Sequence, residues 1–193
     1  HLFDGLSAYA PETKKPKPLN TYAKHKAQAE IGVHKECQSA LICRTNFIGW
    51  GPTYRRSFFD NIFDTLSKNQ TLHMFDDVFF TPVSITMLID YVHALLDISH
   101  AGLINICSSE KISKYDFSVR VAKRFGFSSN QIQPTHSQSF KNQLVRPNDL
   151  SLCDHLLTKT LRLKAASIND VLESLIATQK NVDELLTADQ KIR

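Results

Sequence analysis

Apolar residues recur at helical spacing most clearly after Ser84, where Ile85, Leu88, Ile89, Val92, Leu95 and Leu96 form a stripe that predicts an amphipathic helix. Ile62, Phe63 and Leu66 form a second stripe behind the S-x-x-D spacing of Ser57 and Asp60, which suits a capped helix start. The same capping chemistry recurs at Ser113 with Asp116, opening a helix that Gly126 ends, and at Ser167 with Asp170, opening the last helix. Asn20 precedes a stretch, residues 21–38, in which Ala, Lys, Gln and Glu dominate and no Pro intervenes, so it predicts a long helix with Asn20 as its N-cap. Residues 40–44 are a short apolar run behind that helix, the pattern of a buried parallel strand. Residues 71–75 and 102–107 predict two more strands, and residues 1–5 read as the tail of a strand entering a Gly turn. The polar end, residues 186–193, is expected to fray. Helices alternating with short apolar strands predict α/β layers.

Composition narrows the function classes. The 193 residues are 42% hydrophobic and 22% charged, ordinary values for a globular chain. No run of about 18 apolar residues exists, which excludes a membrane-spanning helix, and residues 1–5 lack a charged-then-apolar leader pattern. The expectation is a soluble, cytoplasmic protein. A net charge of +4 is too mild and dispersed for a nucleic-acid footprint, so nucleic acid and membrane are not expected partners. Cys37, Cys43, Cys107 and Cys153 form no C-x-x-C pair and read as buried thiols, without a disulfide or a metal site. With six glycines, neither G-x-G-x-x-G nor G-x-x-x-x-G-K-[ST] occurs, so these residues bring no phosphate cradle.

One pair carries sharp chemistry. Tyr22 and Lys26 lie four apart on the first helix and present their polar tips to one small volume. Reduction of a carbonyl leaves an alkoxide that must be protonated, and an ordinary phenol, with a pKa of about 10, is a poor proton shuttle at neutral pH. An ammonium about 6 Å away stabilises the phenolate by roughly 2–3 kcal/mol at an effective dielectric near 20. A solvated surface pair is the competing reading of the same two residues.

The surroundings favour chemistry. Phe3-Asp4-Gly5, then residues 9–13, then Pro18-Leu19-Asn20-Thr21-Tyr22 through Lys26 to Glu30 resemble the run F-D-G, Y-x-E-x, P-L-N-x-Y-G-x-x-K-x-x-x-E of the dTDP-4-dehydrorhamnose reductase family, extended short-chain dehydrogenases. Residues 42–49, Thr81-Pro82, residues 102–105, Ser113 to Phe117 and Val145-Arg146-Pro147-Asn148-Asp149-Leu150 resemble its later landmarks in the same order. The resemblance implies an incomplete Rossmann-type parallel sheet, its C-terminal part, in residues 1–75. In residues 76–193 it implies mainly a small α/β substrate-binding lobe, with one strand and its helices returning to the sheet.

It further implies reduction of a 4-keto nucleotide sugar by NADPH or NADH, dTDP-4-dehydrorhamnose to dTDP-rhamnose first among them, for polysaccharide synthesis. Tyr22 would donate the proton, and Lys26 would support it and hold the cofactor ribose. Thr45 and Asn46 would contact the cofactor, while Phe47 and Arg146 would contact the nucleotide sugar. Strand-end capping for Thr45 and Asn46, core packing for Phe47 and a surface ion pair for Arg146 are the competing readings. The family's Gly-rich loop and catalytic Ser or Thr would precede His1, making that missing part of the same protein a required partner, and pairing of two copies is a further expectation. Two alternatives share the pattern: another extended short-chain dehydrogenase, such as a sugar-nucleotide epimerase, and a non-catalytic subunit resembling the regulatory subunit of methionine adenosyltransferase. Trp50 could stack on a ligand or anchor the core; Asp76 and Asp77 read as solvated acids, and the scattered histidines as no ligand set.

Overall fold

The computed structural model describes residues 1–52, 54–139 and 145–191, with side chains described through residue 179. The first helix, α1 (Thr21–Glu36), starts where Asn20 turns extended and its Oδ1 accepts the Ala23 N–H at 2.9 Å. It ends two residues earlier than its composition suggests, because Cys37 adopts an extended conformation while its N–H still bonds Val33 O. Cys37 is therefore exposed at a helix terminus, whereas Cys107 is the buried thiol that the pattern anticipates. The chain then enters β1 (Leu41–Thr45) and, one residue on, β2 (Phe47–Ile48).

Ser57 and Asp60 form the expected reciprocal capping box at the start of α2 (Phe58–Ser67), which leads to β3 (Leu72–Phe75). Asp60 also accepts the Gly51 N–H at 2.9 Å, and a Cβ at Gly51 would stand 2.5 Å from Arg55 O, so only glycine fits this close approach. After β4 (Phe79–Phe80) and β5 (Val83–Ser84), Ser84 caps α3 (Ile85–Asp97). β6 (Gly102–Ile106) and β7 (Ile112–Ser113) follow. Ser113 then caps α4 (Lys114–Phe125), and Gly126 closes that helix at φ +77°. The pattern left the two-residue strands β2, β4, β5 and β7 undetected, and also β8 (Ile132–Thr135) and α5 (His155–Leu161), both short and without alternation or a side-chain cap. The last helix, α6 (Ile168–Lys191), continues through most of the segment expected to fray; residues 192 and 193 lie outside the described residues. Residues 1–5 form no strand, and Gly5 turns the chain at φ +76°.

Parallel pairing dominates. β1 runs beside β6 from Leu41↔Gly102 to Thr45↔Ile106, β2 pairs β5, and β3 pairs β8, while β4 and β7 are antiparallel. The first pair is the parallel pair expected of an α/β layer, but β1 is half-buried with only Arg44 buried, while α3 packs Leu95 and α5 packs Leu157 against Ile104 and Ile106 of β6. A second, larger cluster joins Phe59, Ile62 and Leu66 of α2 to Leu72 and Met74 of β3, Phe117 and Val121 of α4, Ile132 of β8 and the first turns of α6. Burying each such side chain stabilises the fold by about 1.5–3 kcal/mol. Residue 75 is the last of β3, which packs with α2 and takes its parallel partner, β8, from later in the chain.

Candidate active site

The N-cap that starts α1 also aims it. Asn20 Nδ2 donates to Val145 O at 3.0 Å, tying the helix start to a strap formed by residues 145–152. Ala23 and Ala27 face inward, so Tyr22, Lys26 and Glu30, at successive four-residue steps, line one open side of the helix. Opposite them runs β1 with Leu41, Ile42, Cys43, Arg44 and Thr45, and between the two lies a cavity of about 470 Å³. His1, Leu2 and Phe3 line it from one side, and Asp149, Leu150 and Leu152 of the strap from another. Gly5 secures that junction, because its positive φ lets the backbone pass within reach of Pro147, where a Cβ would stand 2.7 Å from the proline ring.

Tyr22 is 59% exposed into this space, and the Lys26 ammonium lies over its ring at 5.7 Å from the centroid. The His1 ring meets the same phenol edge-on at 5.9 Å. Thr45 Oγ1 is buried without a hydrogen-bond partner among the described residues, although Thr45 lines the cavity. A buried hydroxyl left unsatisfied is costly, and this one has no exposed surface of its own toward the cavity. Asn46 lines the cavity too, but its Oδ1 accepts from Thr81 N at 3.3 Å and Thr81 Oγ1 at 3.4 Å, a brace across the strand end. Phe47 is 60% exposed at the rim instead of packed in the core.

Charge in the cavity is arranged by neighbours that the sequence pattern did not flag. Arg44 is buried, and its guanidinium grips Glu30 with two bonds, Nε to Oε1 at 2.9 Å and Nη2 to Oε2 at 2.8 Å. The Phe3 ring stacks 5.2 Å from the same guanidinium. Burial alone would raise the Asp149 carboxyl, yet hydrogen bonds from Ser151 and the Lys111 ammonium at 2.9 Å hold it below its ordinary range. Burial pushes the Cys43 thiol up, so it faces the cavity neutral. The signal for Arg44 was available: an arginine inside the apolar run of residues 40–44 must be paired when buried. Its partner, fourteen residues earlier, could not be read from spacing.

Arg146 stays exposed on the strap and is not among the residues lining the cavity. Trp50 is an anchor: its Nε1 donates to Leu175 O at 3.0 Å and its ring packs edge-on against Phe59 and Phe63. Asp76 and Asp77, read as solvated acids, meet His136 at the far ends of β3 and β8. Asp76 Oδ1 lies 3.1 Å from His136 Nδ1, and Asp77 accepts from Ser137 and Asn148. The Asp76 bond and the Asp77 charge raise the His136 imidazole above its ordinary value. These three ligand-type side chains lie within 4.8 Å of one another at the surface.

The cavity residues suit the ribose and carbonyl end of a reduced nicotinamide cofactor and its substrate. A hydroxyl donor and an ammonium lie beside the side chains of Phe3, Thr45 and Phe47.

Residues 1–181 match a family model described as the RmlD substrate binding domain. The chain is 24% identical over 151 residues to a probable low-salt glycan biosynthesis reductase of Haloferax volcanii, covering 76% of this chain and 50% of that protein. Its fold superposes on a dTDP-4-dehydrorhamnose reductase of Bacillus anthracis solved with NADP at a TM-score of 0.83 and 19% identity, covering 92% of this chain and 62% of that one. A dTDP-4-dehydrorhamnose reductase of Clostridium acetobutylicum matches at 0.82 and 22% identity, covering 93% and 63%. These likenesses establish the fold: part of a Rossmann-like parallel sheet with an accompanying α/β lobe. The chain spans half the length of the curated relative and under two thirds of the two solved reductases.

Proposed function

The chain belongs to the RmlD substrate binding domain family, and from that premise we propose that it forms the substrate-binding and proton-donating portion of an NADPH- or NADH-dependent reductase of a 4-keto nucleotide sugar, with dTDP-4-dehydrorhamnose the first candidate. The observation that carries this reading is that Tyr22 and Lys26, the ammonium over the phenol ring, face one cavity that Thr45 also lines.

When bound, the reduced nicotinamide supplies a hydride to the sugar C4 carbonyl. Tyr22 Oη gives its proton to the oxygen as negative charge grows there, and Lys26 stabilises the phenolate left behind. Lys26 also donates to ribose hydroxyls, and the Thr45 side chain stands beside the bound pair. Phe47 supports the apolar face of the sugar from the rim. Asn46, braced by Thr81, holds the turn between β1 and β2 that sets the positions of Thr45 and Phe47. Arg146, on the strap whose Asp149 and Leu150 line the cavity, reaches for the diphosphate.

The cradle for the cofactor's phosphates comes from a segment outside these residues. Supporting this, β1 pairs only with β6 among the described residues, so its other edge is open to a further parallel strand. We assign α1, β1, α3, β6 and α5 to the Rossmann side, and α2, β3, β4, β7, α4 and β8 to the substrate lobe.

In the full-length protein, Tyr22→Phe lowers kcat by a factor of about 10² or more while sugar affinity is retained, because the phenol acts mainly in the transition state. Unchanged turnover in that variant ends the assignment. Tight binding of NADPH and keto sugar without oxidation of the cofactor, in the parent protein, would favour a regulatory subunit. The chain as given, without the cradle, consumes no NADPH.

A further inference from the structure

The face of α1 that carries Tyr22 and Lys26 continues to Glu30, one turn beyond the lysine. Lysine and glutamate four apart on a helix are within reach of each other, and such pairs form readily at a half-open surface. Here the pair does not form. Both carboxylate oxygens of Glu30 are turned to Arg44, whose Nε and Nη2 lie 2.9 and 2.8 Å away. The Arg44 side chain is 5% exposed and that of Glu30 17%, so the fork is shielded from solvent. Arg44 is itself held in place, with Nη1 on Glu12 O at 3.3 Å and its guanidinium against the Phe3 ring. Lys26 makes no ion pair among the described residues and lies over the Tyr22 ring.

The other carboxylate lining the cavity is treated alike, since Asp149 is engaged by Lys111 at 2.9 Å and by Ser151. The remaining titratable groups facing Tyr22 and Lys26 are His1, from the first residues, and Cys43, a neutral thiol on β1.

We infer that Arg44 is a positioning residue that withdraws Glu30 from Lys26, so that the lysine's charge acts undiminished on Tyr22 and on the bound ligand. The inference rests on the proposed reductase reading for its consequence in turnover. The arrangement of charges stands apart from that reading. Without the fork, Glu30 would be a buried carboxylate with one cation in reach, and a carboxylate beside Lys26 would cancel most of the field that favours the phenolate.

The test uses full-length protein with ring-labelled tyrosine, the Tyr22 signal being assigned by its loss in Tyr22→Phe. In Arg44→Met the Tyr22 signal titrates at higher pH than in the parent, and kcat at pH 7 falls about tenfold. The KM for the sugar moves by less than about twofold. Adding Glu30→Gln to Arg44→Met returns both the titration and kcat toward the parent, because the intruding carboxylate is gone. A role for Arg44 in packing alone predicts the opposite, a double variant no better than the single one. That result, or a Tyr22 titration unmoved in folded Arg44→Met, overturns the inference. Should Arg44→Met fail to fold, Arg44→Lys, which keeps the cation but loses the two-pronged grip, is read in the same way with and without Glu30→Gln. Normal turnover in Tyr22→Phe would remove the reductase reading while the ring titration still decides the role of Arg44.

Discussion

Of the lysines set against aromatic rings, Lys26 and Lys114 stand in very different places. In the cleft between α1 and β1, Lys26 lies over Tyr22 beside open space, with a hydroxyl on the ring and an orphaned hydroxyl nearby. In the packed cluster of the lobe, the Lys114 ammonium lies 3.3 Å from the Phe80 ring centroid and 4.2 Å from that of Phe58. There burial pushes the ammonium down to about 7, and both rings are phenyl groups without a hydroxyl. The contact is alike, but its setting differs. Cation and ring become a candidate for chemistry only where a polar ligand can reach them; within a core, the same pair is a compromise between desolvation and attraction to the π-face.

The comparison is broken most forcefully from the core. Phe117→Ala, at a fully buried position that packs on Phe80 and Phe58, lowers unfolding free energy by about 3–5 kcal/mol in denaturant titration. Tyr22→Phe, at an exposed position, changes it by less than about 0.5 kcal/mol. Equal losses would mean that the cleft, too, is packing.

Lys114→Met sharpens the contrast further. A native value near 7 against an unfolded value of about 10.4 means that the unfolded chain binds more protons between those limits, so stability from this site rises with pH across that window. The variant is therefore expected to gain on the order of 2–3 kcal/mol at pH 6, after the opposing cation–π attraction, and the gain shrinks to nothing by about pH 10. A gain independent of pH would show that the ammonium is not the source.

The smallest effect belongs to the surface clasp at the ends of β3 and β8, where Asp77 also holds Asn148 of the strap. Because the native His136 value is raised, its contribution is complete below the unfolded value near 6.5 and is lost as pH rises through the native one. His136→Gln is expected to lower the melting temperature slightly at pH 6 and to leave it unchanged at pH 9; a loss equal at both would assign the effect to shape, not charge.

Most of the helices and longer strands were legible in the chain because their signals are local. Asn20, Ser57, Ser84 and Ser113 each bond a backbone N–H three residues on, and Gly126 closes α4 in a conformation that glycine adopts freely. Of the expected site residues, Tyr22, Lys26, Thr45, Asn46 and Phe47 line one cavity, while Arg146 does not. β3 declared itself in residues 71–75, whereas β8 was missed because four residues containing a proline show no alternation and its partner lies sixty residues away. Asp76 and Asp77 looked solvated for the same reason, since His136 arrives only through that pairing.

By itself, then, the sequence determined where α1, α2, α3, α4 and α6 begin, that the runs of β1, β3 and β6 are strands, and that a tyrosine and a lysine share one side of a helix. All of these depend on hydrogen bonds and periodicities spanning a few residues. Only the tertiary structure decided that Arg44 takes Glu30, that Lys111 takes Asp149, and that the Thr45 hydroxyl is left without a partner. The reason is physical: which buried charge is paired, and by whom, depends on distances through space that close only when segments far apart in the chain are packed together.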